Sequence, residues 1–238
     1  GYISGGYYLT RRVPRRENMR PDLMPEQVLS ASGCVCDFFP NTWAIEWTTD
    51  SVEERSAHAA RFGIGEAHLP GVIEWATAGF EKEFGWPNAF YSLDAARAAR
   101  ARFLQGNRDV VLFGLGLQAA HAERFVEHTR PEPRKPGCAP VGVTGIARCV
   151  SAGRTIEPGG VRGGFELIAT YLFGVLSCSW LCNGLEAMFA ERIGVRPNAH
   201  GFIETFDEAE RCMELIEREE IPAEPGLWLP WLVTVYEG

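Results

Sequence analysis

Lysine is nearly missing from this chain: of its 23 basic residues only Lys82 and Lys135 are lysine. The basic residues are outnumbered by 31 acidic ones, giving a net charge of −8. That balance argues against a general nucleic-acid binder, because phosphate contacts need a surplus of Lys and Arg. Apolar runs of membrane length are scarce. The one that qualifies, 19 uncharged residues from Leu167 to Leu185, contains Thr170, Gly174, Ser177, Ser179, Asn183 and Gly184 and is bracketed by Glu166 and Glu186. It reads as a buried strand followed by the first turns of a helix, and no membrane association is expected. The first 20 residues lack an apolar core and carry five Arg against one Glu, so they do not read as a secretory leader and the expected compartment is the cytoplasm.

Familiar catalytic signatures are also missing. There is no G-x-S-x-G elbow, and the histidines (His58, His68, His121, His128, His200) form no H-x-x-x-H or H-E-x-x-H pair. Seven cysteines is an odd number, and their spacing forms no disulfide framework, which favours free thiols in a reducing compartment. Cys34-x-Cys36 and Cys178-x3-Cys182 lie in apolar runs where cysteine acts as a small hydrophobe, and zinc knuckles favour two-residue spacing in polar turns. No metal and no cofactor is expected.

What remains is an ordinary globular composition, 46% apolar and 23% charged over 238 residues, which excludes disordered and coiled-coil classes. Strands are expected at Tyr7 to Val13, Gln27 to Phe39 and Val110 to Leu117. Helices are expected from Ser51, where Ser51-x-x-Glu54 has capping-box spacing, from Pro70 through Phe84, from Ser92 to Leu104, and from Ala119 to His128. Residues 130–140 (RPEPRKPGCAP) hold four prolines and read as a linker. The pattern then restarts. Strands are expected at Val141 to Val150 and Phe165 to Leu176, a helix at Trp180 to Ile193, a capping box at Thr205-x-x-Glu208, and a last strand at Leu227 to Tyr236.

Set side by side, Pro87-Asn88-Ala89 matches Pro197-Asn198-Ala199, and Ser92 matches Thr205 with three extra residues in the second copy. Both copies end on an apolar strand. The expected fold is therefore α+β: two β-β-α-α-β units, 1–129 and 141–238, related by a pseudo-two-fold, with sheets covered by helices. Such an arrangement places a cleft between the halves. Asn183, Glu186 and His200 are its expected polar contacts.

Two glycine-rich segments have bland explanations. Gly114-Leu-Gly-Leu-Gln-Ala119 fits a dinucleotide turn locally, but it lies mid-chain, and the acidic residue expected about 20 positions on would fall in the proline-rich linker, so a tightly packed strand end is preferred. Glu157-Pro-Gly-Gly-Val-Arg-Gly-Gly, with Arg162, could cradle an anion but reads more simply as a hairpin connection.

Charge patterning points furthest. Between Glu204 and Glu224 stand nine acidic residues and two Arg, a local net of −7. Glu214, Glu217 and Glu220 on this helix, beside Trp228 and Trp231, would suit docking on a basic partner, with carboxylates steering and exposed aromatics anchoring. The favoured expectation is a cytoplasmic protein-binding module, concretely an immunity-type protein that neutralises a basic toxin or effector by occupying its functional surface. The alternative is an enzyme or ligand-binding protein using the cleft between repeats.

Overall fold

Side-chain alternation along the first strand decides the architecture. Tyr8 enters one apolar cluster while Tyr7 and Leu9 enter another, as a strand covered on both faces requires. The computed structural model describes residues 1–33, 42–43, 47, 51–86, 88–129, 144–171, 174–182 and 184–236. In chain order the strands are β1 (Tyr2–Arg11), β2 (Val13–Pro14), β3 (Gln27–Val28), β4 (Phe84–Gly85), β5 (Ala89–Phe90), β6 (Val110–Gln118), β7 (Val161–Thr170), β8 (Leu176–Ser179) and β9 (Leu227–Tyr236). Seven of them form one antiparallel sheet in the order β4-β5-β1-β6-β9-β7-β8, and β2 pairs with β3 apart from it. Strands from both sides of the proline-rich segment thus share a single sheet.

The helices are α1 (Val52–Arg61), α2 (Leu69–Gly79), α3 (Leu93–Phe103), α4 (Ala119–Thr129), α5 (Gly145–Ser151), α6 (Leu185–Ile193) and α7 (Phe206–Glu217). Residues of α1 to α3, including Ala59, Val72, Ala76 and Leu93, build the smaller cluster with Phe62, Trp43 and Trp47. Residues of α4 to α7, including Phe125, Ile146, Phe189 and Cys212, build the larger one. Both expected capping boxes form: Ser51 accepts from the Glu54 amide and Thr205 from that of Glu208, while each glutamate returns to its cap's amide. Among the described residues no helix is long and apolar enough to cross a membrane. The uncharged run from Leu167 to Leu185 divides into the end of β7, β8 and the first residue of α6.

Several expected elements differ: the strand expected at Phe165 to Leu176 ends at Thr170 and a second, antiparallel strand starts at Leu176, and the strand expected at Tyr7 to Val13 starts at Tyr2. Residues Val141 to Val150 do not make a strand over their described part: Thr144 caps the helix α5, its hydroxyl accepting from the Ala147 amide at 3.2 Å. The helix from Pro70 ends at Gly79, because Glu81 turns left-handed (φ 63°) and Phe84 joins the sheet. Helix α6 begins at Leu185, five residues later than expected, behind a left-handed Gly184. Of the expected strand Gln27 to Phe39, Gln27–Val28 is extended and residues 34–39 lie outside the described part. The linker 130–140 lies outside it too.

Glycine sets the shape of the two long strands beside the centre. β1 bulges between Ser4 and Gly6, opposite Gly116 and Leu115. β7 bulges between Arg162 and Gly164, opposite Thr234 and Val233. Gly6 (φ 101°) and Gly164 (φ 128°) take backbone conformations that side chains disfavour. The β7 bulge is braced by Asn198, whose amide donates to the Gly163 carbonyl at 2.8 Å and accepts from His200 and Phe202 amides at 2.9 and 3.1 Å.

A Cβ at Gly164 would lie 2.6 Å from the Ile203 carbonyl oxygen, whereas one at Gly71, inside α2, would meet nothing within 4 Å. Gly164→Ala is therefore expected to lower unfolding free energy by about 2 kcal/mol or more. Gly71→Ala should raise it by up to about 1 kcal/mol. Urea denaturation of both variants checks the pair, and equal effects would contradict the bulge assignment.

Candidate functional site

A charged side chain inside a strand of a two-face-covered sheet must be neutralised or hydrogen-bonded. Glu166 on β7 meets that condition. It is 0% exposed. Its Oε1 accepts from the Ser30 hydroxyl and its Oε2 from the Ala31 amide at 3.0 Å, and Ser179 also bonds it. Ser30 and Ser32 hydroxyls lie 3.0 Å apart behind it. Burial dominates over these donors and raises the carboxyl pKa to about 7. Among the described residues the groups that bond this carboxyl are hydroxyls and a backbone amide, so the cluster ties the segment Ser30–Ser32 to the sheet.

Glu186 is equally buried at 0% exposure, in the first turn of α6. Its Oε1 accepts weakly from the Arg20 amide at 3.4 Å, while Oε2 is buried without a partner. Burial raises its pKa, with first-turn amides and Arg20 pulling the other way. The Arg20 guanidinium is committed elsewhere, to Asp22 at 2.6 Å and Glu191 at 3.2 Å. His200 stands exposed in a turn. Glu186 is thus sealed from solvent while His200 is open to it, and Asn183 lies outside the described residues.

The acidic helix is placed as expected and its tryptophans are not. Glu214, Glu217 and Glu220 are exposed on or just beyond α7. Trp228 and Trp231, expected as exposed anchors, are 3% and 0% exposed. Trp231 packs edge-on against Phe125 at 5.4 Å, and Trp228 donates its ring N–H to the Glu224 carbonyl at 2.9 Å. The physical reason is that β9 is covered on both faces, so neither phase of its alternation reaches water.

Two side chains of α4 reach α7. Arg124 of α4 pairs with Glu217, and His121 Nε2 lies 3.8 Å from Glu210. Glu123 and Glu127, one turn apart on α4, are exposed. They line a cavity of 540 Å³ between α4 and α5 together with Ile3, Ala122, Val126 and Val150. This pair escaped the sequence reading, although its i, i+4 spacing beside an apolar stripe was a usable signal. Glu166 escaped too, and its signal was a single charge inside the apolar run from Phe165 to Ala169.

The remaining candidates resolve structurally. Gly114 and Gly116 lie within β6, paired on both sides, where a Cβ would strike the Tyr7 ring at 3.0 Å and Tyr2 Cβ at 2.9 Å. They are packing glycines. Residues 157–160 lead into β7, and Arg162 lies over the Phe165 ring at 4.6 Å. Cys182 is disulfide-bonded, contrary to the expectation of free thiols, whereas Cys149, Cys178 and Cys212 are free. Burial pushes the Cys149 and Cys212 thiols up to about 12, which makes them poor nucleophiles. Among the described residues no group of three His, Cys, Asp or Glu is placed to hold a metal ion. Comparison of the chain with protein-family models, curated proteins and solved structures finds no match.

The buried carboxyl makes stability depend on pH. Glu166 titrates near 7 in the fold against about 4.5 in the unfolded chain, so the fold holds its proton more tightly. Its contribution is complete below the unfolded value and is lost as pH rises through about 7, a difference on the order of 3 kcal/mol by pH 8. His121, whose pKa burial lowers, acts in the opposite direction and is lost as pH falls. Urea unfolding across this range should show a decline with pH in the wild type that Glu166→Gln flattens. A slope surviving in that variant would assign it to another group.

Proposed function

We propose that this chain is an acidic protein-binding module whose partner presents a basic surface, in the manner of an immunity-type protein that masks the working surface of a toxin or effector. The observation that carries the reading is the exposed acidic face of α7. Nine acidic residues between Glu204 and Glu224 stand against two arginines, and Glu123 and Glu127 are further exposed carboxylates on α4, which the Arg124–Glu217 pair ties to α7. Carboxylates so concentrated steer a basic partner and raise its association rate. Since the tryptophans are buried, non-polar contact would come from the apolar floor beside Glu123 and Glu127, at Ala122, Val126 and Val150. An enzymatic cleft built from Asn183, Glu186 and His200 is the weaker reading, because Glu186 is sealed inside and His200 lies on the surface.

Charge reversal tests the docking face. The protein is purified gently from its own host, native mass spectrometry identifies a stoichiometric partner polypeptide, and association is timed by stopped flow. Glu214→Lys/Glu217→Lys/Glu220→Lys should slow association about 10- to 100-fold at low ionic strength, with the gap narrowing as salt screens the field. An unchanged rate in a folded triple variant removes the acidic face as the docking surface.

We infer further that the two halves are copies. The support is the ladder register. Offsetting β1 by 158 residues superposes its bulge at Ser4 and Gly6 on that of β7 at Arg162 and Gly164, and offsetting β6 by 118 superposes Leu115 on Val233. With that offset the β6–β9 ladder maps onto itself, since Gly114 pairs with Thr234 and Gly116 with Leu232. A pseudo-two-fold would then pass through the Leu115–Val233 pair. The bridges Tyr7–Phe90 and Phe165–Ile203 agree with the same scheme. On this reading the junction between halves is a filled β-ladder, which leaves no cleft at the axis. Equivalent lesions should then cost alike: Gly6→Ala is expected to match Gly164→Ala within about 1 kcal/mol in urea denaturation. A negligible loss at Gly6 would set the two bulges apart.

A further inference from the structure

Away from the acidic face, a cavity of 380 Å³ opens where the C-terminal half of α5 meets the turn before β4. Its lining reverses the character of the chain. Lys82, Arg148 and Arg154 face it with one carboxylate, Glu81, so three positive charges against one negative leave it net +2 in a protein of net −8. Among the described residues neither Lys82 nor Arg154 has an ion-pair partner; Arg148 is paired with Glu81.

The site is built from rigid parts. Arg148 rides on α5 and is gripped by Glu81, whose carboxylate pairs with it and whose carbonyl accepts from it at 3.5 Å. It also reaches the Tyr91 hydroxyl at 3.4 Å and lies over that ring at 5.9 Å. Glu81 holds a left-handed backbone (φ 63°), fixed by its amide donating to the Phe84 carbonyl at 2.7 Å. That conformation is disfavoured for a non-glycine residue, and strain of this kind collects where a side chain must be aimed. The Tyr91 hydroxyl occupies space that Gly85 leaves open, since a Cβ there would lie 2.2 Å from it. Arg154 is anchored through its backbone: its carbonyl accepts from the Ser4 amide at 2.7 Å, and the Ile156 amide donates to Tyr2 at 2.9 Å.

We propose that this cavity binds the phosphate monoester of a small metabolite. Two uncompensated cations match the two charges of a monoester at neutral pH, and the planar guanidiniums of Arg148 and Arg154 suit a phosphate oxygen edge while Lys82 supplies a point charge. The volume admits a small organic moiety, for which the Tyr91 ring and Ala152 provide a less polar wall. Cys149 on the same wall is buried with its thiol pKa pushed up to about 12, so the site binds without thiol chemistry.

Isothermal titration calorimetry of the full chain with ribose 5-phosphate, ribose and inorganic phosphate tests this. Ribose 5-phosphate should bind saturably at one site, ribose should not bind, and inorganic phosphate should bind more weakly. Lys82 and Arg154 are exposed, and Lys82→Gln/Arg154→Gln should weaken the monoester at least about tenfold with little change in thermal midpoint. The charge-matched control Arg61→Gln/Arg211→Gln should leave it unchanged. Absence of saturable binding overturns the proposal, as does equal weakening in the control. Inorganic phosphate binding as tightly as ribose 5-phosphate overturns the monoester assignment.

Discussion

The antiparallel pairing of β6 with β9 at the middle of the sheet is the constraint on which the rest of the molecule depends. β1 flanks the pair on one side and β7 on the other, and apolar clusters cover both faces. Every backbone donor and acceptor there must be met by a ladder, because water is absent. No charged side chain is therefore admitted from Val110 to Leu117 or from Leu227 to Tyr236. Gly114 and Gly116 make room for Tyr7 and Tyr2. Pro230 sits where the demand relaxes: the β6 ladder covers Leu232 to Tyr236 and stops short of it, while its β7 partner is Leu167. A proline closer to the centre would have left a β6 carbonyl without a donor.

With the sheet closed to charge, ionised groups collect on helices and turns. Arg11 and Arg162 stand near the ends of β1 and β7 and are not buried; Glu166 is the buried exception within the long strands, and it persists because Ser30, Ala31 and Ser179 surround it with donors. The outcome is a surface of two signs. On the proposed readings, the α7 face meets a basic macromolecule and the cavity beside α5 takes a compact phosphate monoester. The two are compatible electrostatically. A net negative exterior repels extended polyanions, so on the proposed reading the cationic cavity would discriminate against nucleic acid while a small ligand could enter.

Features written in local chemistry were legible in the sequence. Both capping boxes, α3 between Ser92 and Leu104, and β9 from Leu227 to Tyr236 follow from hydroxyl–carboxylate spacing and apolar runs bounded by turn residues. What failed had a tertiary cause. Val141 to Val150 has a strand-like composition, yet Thr144 caps a helix there. Phe84 continues the helical stripe of Ile73, Ala76 and Phe80 in sequence, but it pairs with Phe90 in the sheet instead. Trp228 and Trp231 adjoin the acidic helix in sequence and were read as exposed with it; coverage of β9 on both faces buries them. The cationic cavity had no local signature at all, because Ser4, Lys82, Arg148 and Arg154 come together only through the sheet and α5.

The interior also bears on where function can reside. Burial moves Glu166, Cys149, Cys212 and Tyr8 toward their neutral forms, and a neutral thiol or phenol is a weak nucleophile. The same burial leaves the scaffold rigid beneath its surface helices. Helix α7 is fixed at its start by the Thr205–Glu208 box and along its length by Arg124–Glu217 and Glu214–Arg218. Each exposed pair is worth only a few tenths of a kcal/mol to about 1 kcal/mol, but together with the buried Ala209, Cys212 and Met213 they hold the helix in one orientation. A partner meeting that face would find its carboxylates already arranged, so little ordering entropy would be lost on docking. On the proposed reading, steering by charge and prior rigidity would act together: the first would speed encounter, and the second would let a modest apolar floor between α4 and α5 suffice as the contact that slows release.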